Sequence, residues 1–146
     1  MLTQGEADVL LGMGKRFDSG TPLDVAPGVF YTRQLQSLDQ TESFLLDVSA
    51  SEFKLSKFRY QSRGRRIHIL ARLCIDGTPH TNPDGERMEG THVHFYREGY
   101  EDKWAYPVDP KMFVDVTDRE STLSNFLGLC NVEDPPPIIE IGHLQP

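Results

Sequence analysis

The chain predicts an α+β fold: an antiparallel β-sheet of about five to six strands, with an N-terminal and a C-terminal helix packed on one face. Three observations carry this expectation. Helical periodicity is confined to the two ends, residues 3–14 and 118–132. Between them the period falls to two, in runs bounded by Gly, Pro, Asn and Asp. Those runs follow one another with no helix between them, which favours antiparallel pairing over a βαβ arrangement. The 146 residues are read as one domain, 1–146, long enough for a single core.

Taken in order, Thr3 and Glu6 have capping-box spacing, and Leu10, Met13 and Phe17 continue an apolar stripe. Residues 18–28 are rich in turn formers and predict a loop. Residues 44–51 and 52–61 read as strands, with a turn at Ser62-Arg63-Gly64. Residues 65–76 alternate most clearly, with Ile67, Ile69, Ala71, Leu73 and Ile75 on one face and Arg66, His68, Leu70, Arg72, Cys74 and Asp76 on the other. A connection over 77–90 precedes a strand at 91–98, which pairs with 103–108 across the turn Gly99-Tyr100-Glu101-Asp102. The second helix spans 118–132, with Thr117 and Glu120 at capping-box spacing and an apolar stripe of Leu123, Phe126, Leu127 and Cys130. Pro135, Pro136 and Pro137 stop it, and residues 137–142 are read as a last edge strand.

The net charge is −7, unevenly spread. Residues 53–75 hold seven bases (Lys54, Lys57, Arg59, Arg63, Arg65, Arg66 and Arg72) and no acid, while acids prevail on both sides. An acidic chain with one basic block is not a bulk nucleic-acid binder, but the block suits a short phosphate-bearing ligand. The plain alternative is a solvated strand pair whose bases meet acids from elsewhere. No run is long and apolar enough to span a membrane, and the first residues lack the basic start of a signal peptide. A cytoplasmic location follows as the expectation. Cys74 and Cys130 then read as buried free thiols, in apolar settings that raise a thiol pKa.

The candidate site lies between His80 and Trp104. The turn Asn82-Pro83-Asp84-Gly85 is explained by backbone geometry alone, since Pro fixes φ and Gly tolerates a positive one. His80 has no such explanation. In the next strand His92, His94 and Tyr96 alternate with Val93 and Phe95, which places them on one face. His68 and Arg72 join that face if strand 65–76 is its neighbour, and Lys103 and Trp104 return beside it across the turn.

Three chemistries fit these residues. His80, His92 and His94, with Asp84, offer donors for a transition metal; no metal or other cofactor is assigned on that basis. Acid–base catalysis without metal would use His80, His92, His94, Arg72 and Lys103, with Asn82, Asp84, Tyr96, Trp104 and Arg63 binding an RNA or nucleotide-like ligand. The same surface also suits a non-catalytic protein partner, anchored by Trp104, Tyr96 and Arg97.

The ordered set Tyr60-Gln61-Ser62-Arg63, Leu70-Ala71-Arg72-Leu73, His80-Thr81-Asn82-Pro83-Asp84-Gly85, His92-Val93-His94-Phe95-Tyr96, Glu98-Gly99-Tyr100 and Lys103-Trp104-Ala105 resembles an uncharacterised family of small bacterial and prophage-associated proteins. The resemblance covers roughly 58–130. Thr91 stands where that family tends to carry proline. The resemblance implies a mobile-element or host-defence setting, with a toxin, its neutraliser or a phage-encoded inhibitor as the type of protein. It implies no reaction.

Overall fold

In the computed structural model, which describes residues 1–141, the elements run α1 (Gln4–Gly12), β1 (Lys15–Phe17), β2 (Leu23–Asp24), β3 (Phe30–Ser37), β4 (Ser43–Ala50), β5 (Phe58–Gly64), β6 (His68–Ile75), β7 (His80–Thr81), β8 (Arg87–Met88), β9 (His92–Phe95), β10 (Ala105–Tyr106), α2 (Arg119–Leu129) and β11 (Ile138–Ile139). A seven-stranded antiparallel sheet has the order β1-β3-β4-β5-β6-β9-β10, and two two-stranded sheets pair β11 with β2 and β7 with β8. The expected mixed α+β class holds, with a larger sheet than the sequence announced.

α1 starts where its capping box places it. Thr3 Oγ1 accepts from the Glu6 amide at 3.1 Å, and Glu6 Oε1 accepts from the Thr3 amide at 3.0 Å. The cap of α2 is Asp118 rather than Thr117, and its carboxylate accepts from the Glu120 and Ser121 amides. Both helices contribute to one core, Leu2, Ala7 and Leu10 from the N-terminal segment and Leu123, Phe126 and Leu127 from α2. The sheet side of that core includes the cross-strand row Val48, Tyr60, Leu73 and Val93. The Tyr60 ring lies 6.3 Å from that of Phe126, and its hydroxyl donates to the Arg119 carbonyl. Lys15, 1% exposed, donates to the carbonyls of Leu11, Met13 and Cys130, so one ammonium serves the C-terminal ends of both helices.

Several strand boundaries differ from those the sequence suggests. Residues 52–57 form a tight connection instead of a strand, with Phe53 and Leu55 exposed. Gly64 ends β5, and the turn falls at Arg65 and Arg66, both with positive φ. A bulge beside Ser62 and Arg63 leaves Leu70 unpaired, so Leu70 and Ala71 are both buried and the alternation expected over 65–76 breaks there. β1 and β3 have no clear mark in the sequence: β3 is largely exposed at its start and has a weak apolar pattern. The last edge strand shrinks to Ile138–Ile139, parallel to β2; Gly142 lies outside the described residues.

Candidate functional site

Register builds the site. Residues directly opposite on paired strands point to the same face and approach closely. Cys74 of β6 stands opposite His92 of β9, Arg72 opposite His94, and on the other side Arg59 of β5 stands opposite Cys74. Arg59, Arg72, Cys74, His92 and His94 thus share one face, while Leu73 and Val93 enter the core between them. The β7–β8 hairpin brings His80 to the same place. Ring centroids are 4.7 Å apart for His80 and His94, 5.9 Å for His80 and His92, and 4.9 Å for His92 and His94.

Each imidazole is oriented by a backbone carbonyl. His92 Nδ1 lies 2.5 Å from the Glu89 carbonyl, and His94 Nδ1 lies 2.8 Å from that of Asp102. A carbonyl can only accept, so both Nδ1 atoms carry the proton and both Nε2 atoms keep a lone pair. His80 is held the other way round, with Nε2 donating to the Lys103 carbonyl at 2.8 Å. Burial, with the Arg72 charge, pulls His94 down to about 4; burial also lowers His92, reinforced by His80 and Arg72. Both imidazoles are neutral at neutral pH. Arg72 is tied to Asp102 at 2.7 Å, and its buried Nε has no hydrogen-bond partner among the described residues. Burial raises the Cys74 thiol, opposed by the neighbouring Arg72 and Arg59.

Cys74 Sγ and one ring nitrogen each of His92 and His94 lie within 4.8 Å of one another. The sequence reads Cys74 as a buried free thiol; it is free but only half-buried, and it faces these histidines. The signal that could have found it was the two-residue step from Arg72. Cys130 is buried, and burial pushes its thiol up to about 11.

A cavity of about 460 Å³ opens beside the cluster, lined among others by Lys57, Phe58, Arg59, Arg72, Cys74 and His94. The basic block therefore reaches the histidine face.

The remaining expected residues fall elsewhere. Tyr96 lies past the end of β9 and is buried towards the N-terminus. Its hydroxyl accepts from the Leu2 amide and donates to the Leu2 carbonyl, so it does not share the histidine face. The bulge at Leu70, whose carbonyl accepts from the Tyr96 amide, accompanies this change of side. The Trp104 ring is covered by the Arg97 guanidinium at 3.8 Å and by the edge of Tyr100. Arg63 makes a two-pronged ion pair with Asp47. Lys103 is exposed and meets His80 through its carbonyl. Asn82 is buried and exchanges both side-chain hydrogen bonds with the Ala105 backbone, fastening the loop to β10. Asp84 accepts from the Glu86 amide at the exposed turn, where Gly85 has φ +89. Neither residue lines the cavity. His68 meets Tyr96 edge-on rather than joining the cluster.

Fold and site together define a mixed α+β protein whose polar sheet face carries an imidazole, thiol and arginine cluster beside a basic cavity. The chain belongs to a family of unknown function, DUF6978, matched over residues 2–132. No curated protein and no solved structure matches it. No helix among the described residues is long and apolar enough to cross a membrane.

Proposed function

We propose that this protein binds a nucleotide-like, phosphate-bearing ligand in the cavity beside His94. One observation carries the reading. Of the seven bases in the block, Lys54, Arg63, Arg65 and Arg72 are paired with Asp76, Asp47, Glu42 and Asp102. Lys57, Arg59 and Arg66 have no such partner among the described residues, and the first two line the cavity. The arrangement supports phosphate recognition by Lys57 and Arg59. A volume of about 460 Å³ suits a mononucleotide or the end of a single strand, within the roughly 300–1,000 Å³ of small-ligand sites. Base stacking on Tyr96 or Trp104 has no support, because the first is buried and the second already covered. That cover also weakens the reading of Trp104 as a partner's anchor. The mobile-element or defence setting belongs to the same proposal.

Calorimetric titration with a nucleoside monophosphate and with a short single-stranded RNA, at low salt, tests the reading. Saturable binding to the unmodified chain is expected, with a loss of about tenfold or more in Arg59→Ala, as for one charge-assisted hydrogen bond of about 1.5–3 kcal/mol. Cleavage products in the RNA sample would extend the proposal to catalysis. No saturable binding of either ligand at millimolar concentration overturns it.

A further inference from the structure

We infer that Cys74, His92 and His94 form a zinc-class metal site, with the ion's remaining coordination position facing the basic cavity. The geometry of the three side chains stands apart from the nucleotide reading. The three residues come from adjacent strands whose register places Cys74 opposite His92, with Arg72 opposite His94 one step further along. Their donor atoms lie within 4.8 Å of one another. Tetrahedral zinc, with bonds of about 2.0–2.3 Å, sets its donors about 3.3–3.6 Å apart, so side-chain adjustments of about an ångström close the site.

The surroundings fit a ligand set. A metal-binding imidazole usually donates its second N–H to a carbonyl or carboxylate, which fixes the ring and leaves one lone pair for the ion. His92 and His94 do this through the carbonyls of Glu89 and Asp102, and both side chains are buried. Ordinary packing of two histidines needs no such matched pair with a ring nitrogen of each near a thiol. On binding, Cys74 releases its thiol proton to solvent and coordinates as thiolate. Two imidazoles and one thiolate match the borderline preference of zinc. Three protein ligands also leave a position for water or for an oxygen of a ligand. Cys74 and His94 both line the cavity, so that position opens towards Lys57 and Arg59. His80 is a neighbour rather than a ligand here, since the donor atoms that fall within 4.8 Å of one another among the described residues are those of Cys74, His92 and His94. Asp84, at the exposed loop tip, lies outside the donor group.

The test uses the full chain, purified reduced and stripped of metal, titrated with Zn²⁺ against a chromophoric competitor and separately with Co²⁺. One equivalent of Zn²⁺ is expected, and the Co²⁺ form is expected to show a thiolate-to-cobalt charge-transfer band in the near ultraviolet. Cys74→Ser, His92→Ala and His94→Ala should each weaken Zn²⁺ binding by more than about a hundredfold, the upper end of what losing a supporting hydrogen bond costs. Cys130→Ser should leave binding and band unchanged. Absence of the band in the unmodified chain overturns the site without recourse to any variant. So does Zn²⁺ affinity that survives all three ligand substitutions, or binding of Cu⁺ but not Zn²⁺. Arg59→Ala separates the two readings, because it is expected to lose nucleotide and retain zinc.

Discussion

At the scale of single residues, Asp47 shows how the polar sheet face holds charge. Burial opposes its ionisation, but hydrogen bonds from Arg63, Thr32 and Gln61 outweigh that and keep the carboxyl below its usual value. Both partners are mostly shielded, with side chains 26% and 18% exposed for Arg63 and Asp47, so the pair is worth more than a surface bridge. Asp47→Asn is expected to cost about 2 kcal/mol at pH 7, the range for charge-assisted hydrogen bonds. The sign with pH follows from linkage. A carboxyl whose folded pKa lies below its unfolded one stabilises the fold above the unfolded value, about 3.9, and loses that contribution as pH falls towards the folded value. The stability gap between wild type and Asp47→Asn should therefore stay level from pH 7 to about 5 and shrink below about 4. Urea midpoints measured across that range check it. A gap that persists unchanged at pH 3 would mean that the pair does not act through ionisation.

At the scale of elements, the sequence made local signals legible and hid pairings. The capping box at Thr3 and Glu6 marked α1, and period-two alternation put His92 and His94 together, because both signals are confined to neighbouring residues. The same alternation failed at Tyr96: β9 ends at Phe95, and a bulge in the facing strand is invisible to a periodicity count. Cys74 stayed hidden because its role depends on register between β6 and β9, which the sequence does not encode locally. The loop 77–90 was legible as a candidate, yet what holds it was not. Its base is closed where the Gly77 amide donates to the Gly90 carbonyl at 2.9 Å, and a Cβ on Gly90 would fall 2.3 Å from the Gly77 carbonyl oxygen. The loop also carries Glu89, whose carbonyl orients His92, and His80 itself. Gly90→Ala should force the base apart and cost about 1–3 kcal/mol, as overpacking generally does. A urea midpoint giving less than about 0.5 kcal/mol, the scatter of innocuous surface changes, would show that the closure is dispensable.

At the scale of the whole molecule, charge decides where an anion can settle. The chain carries −7 overall, so an anion needs a place where bases that other acids do not engage come together. Lys57 and Arg59 meet at one cavity with Arg72, while Arg65 is held by Glu42 and Glu6. This arrangement makes a quantitative prediction for a short single-stranded RNA. Each neutralised phosphate on a single strand contributes a slope of about −0.7 to the logarithm of affinity against the logarithm of salt concentration. With at most Lys57, Arg59 and Arg72 engaged, the slope should be near −2. Lys57→Ala should make it shallower by about 0.7, the share of one phosphate contact. A polyelectrolyte-binding surface spread along the whole basic block would engage all seven bases and give a slope near −5. That steep result would spread recognition along β5, β6 and their connection, beyond the cavity beside the histidines. A slope near −2 that falls with Lys57→Ala, by contrast, confines the ligand to the cavity, because no other described cluster leaves its bases uncompensated beside His94 and Cys74.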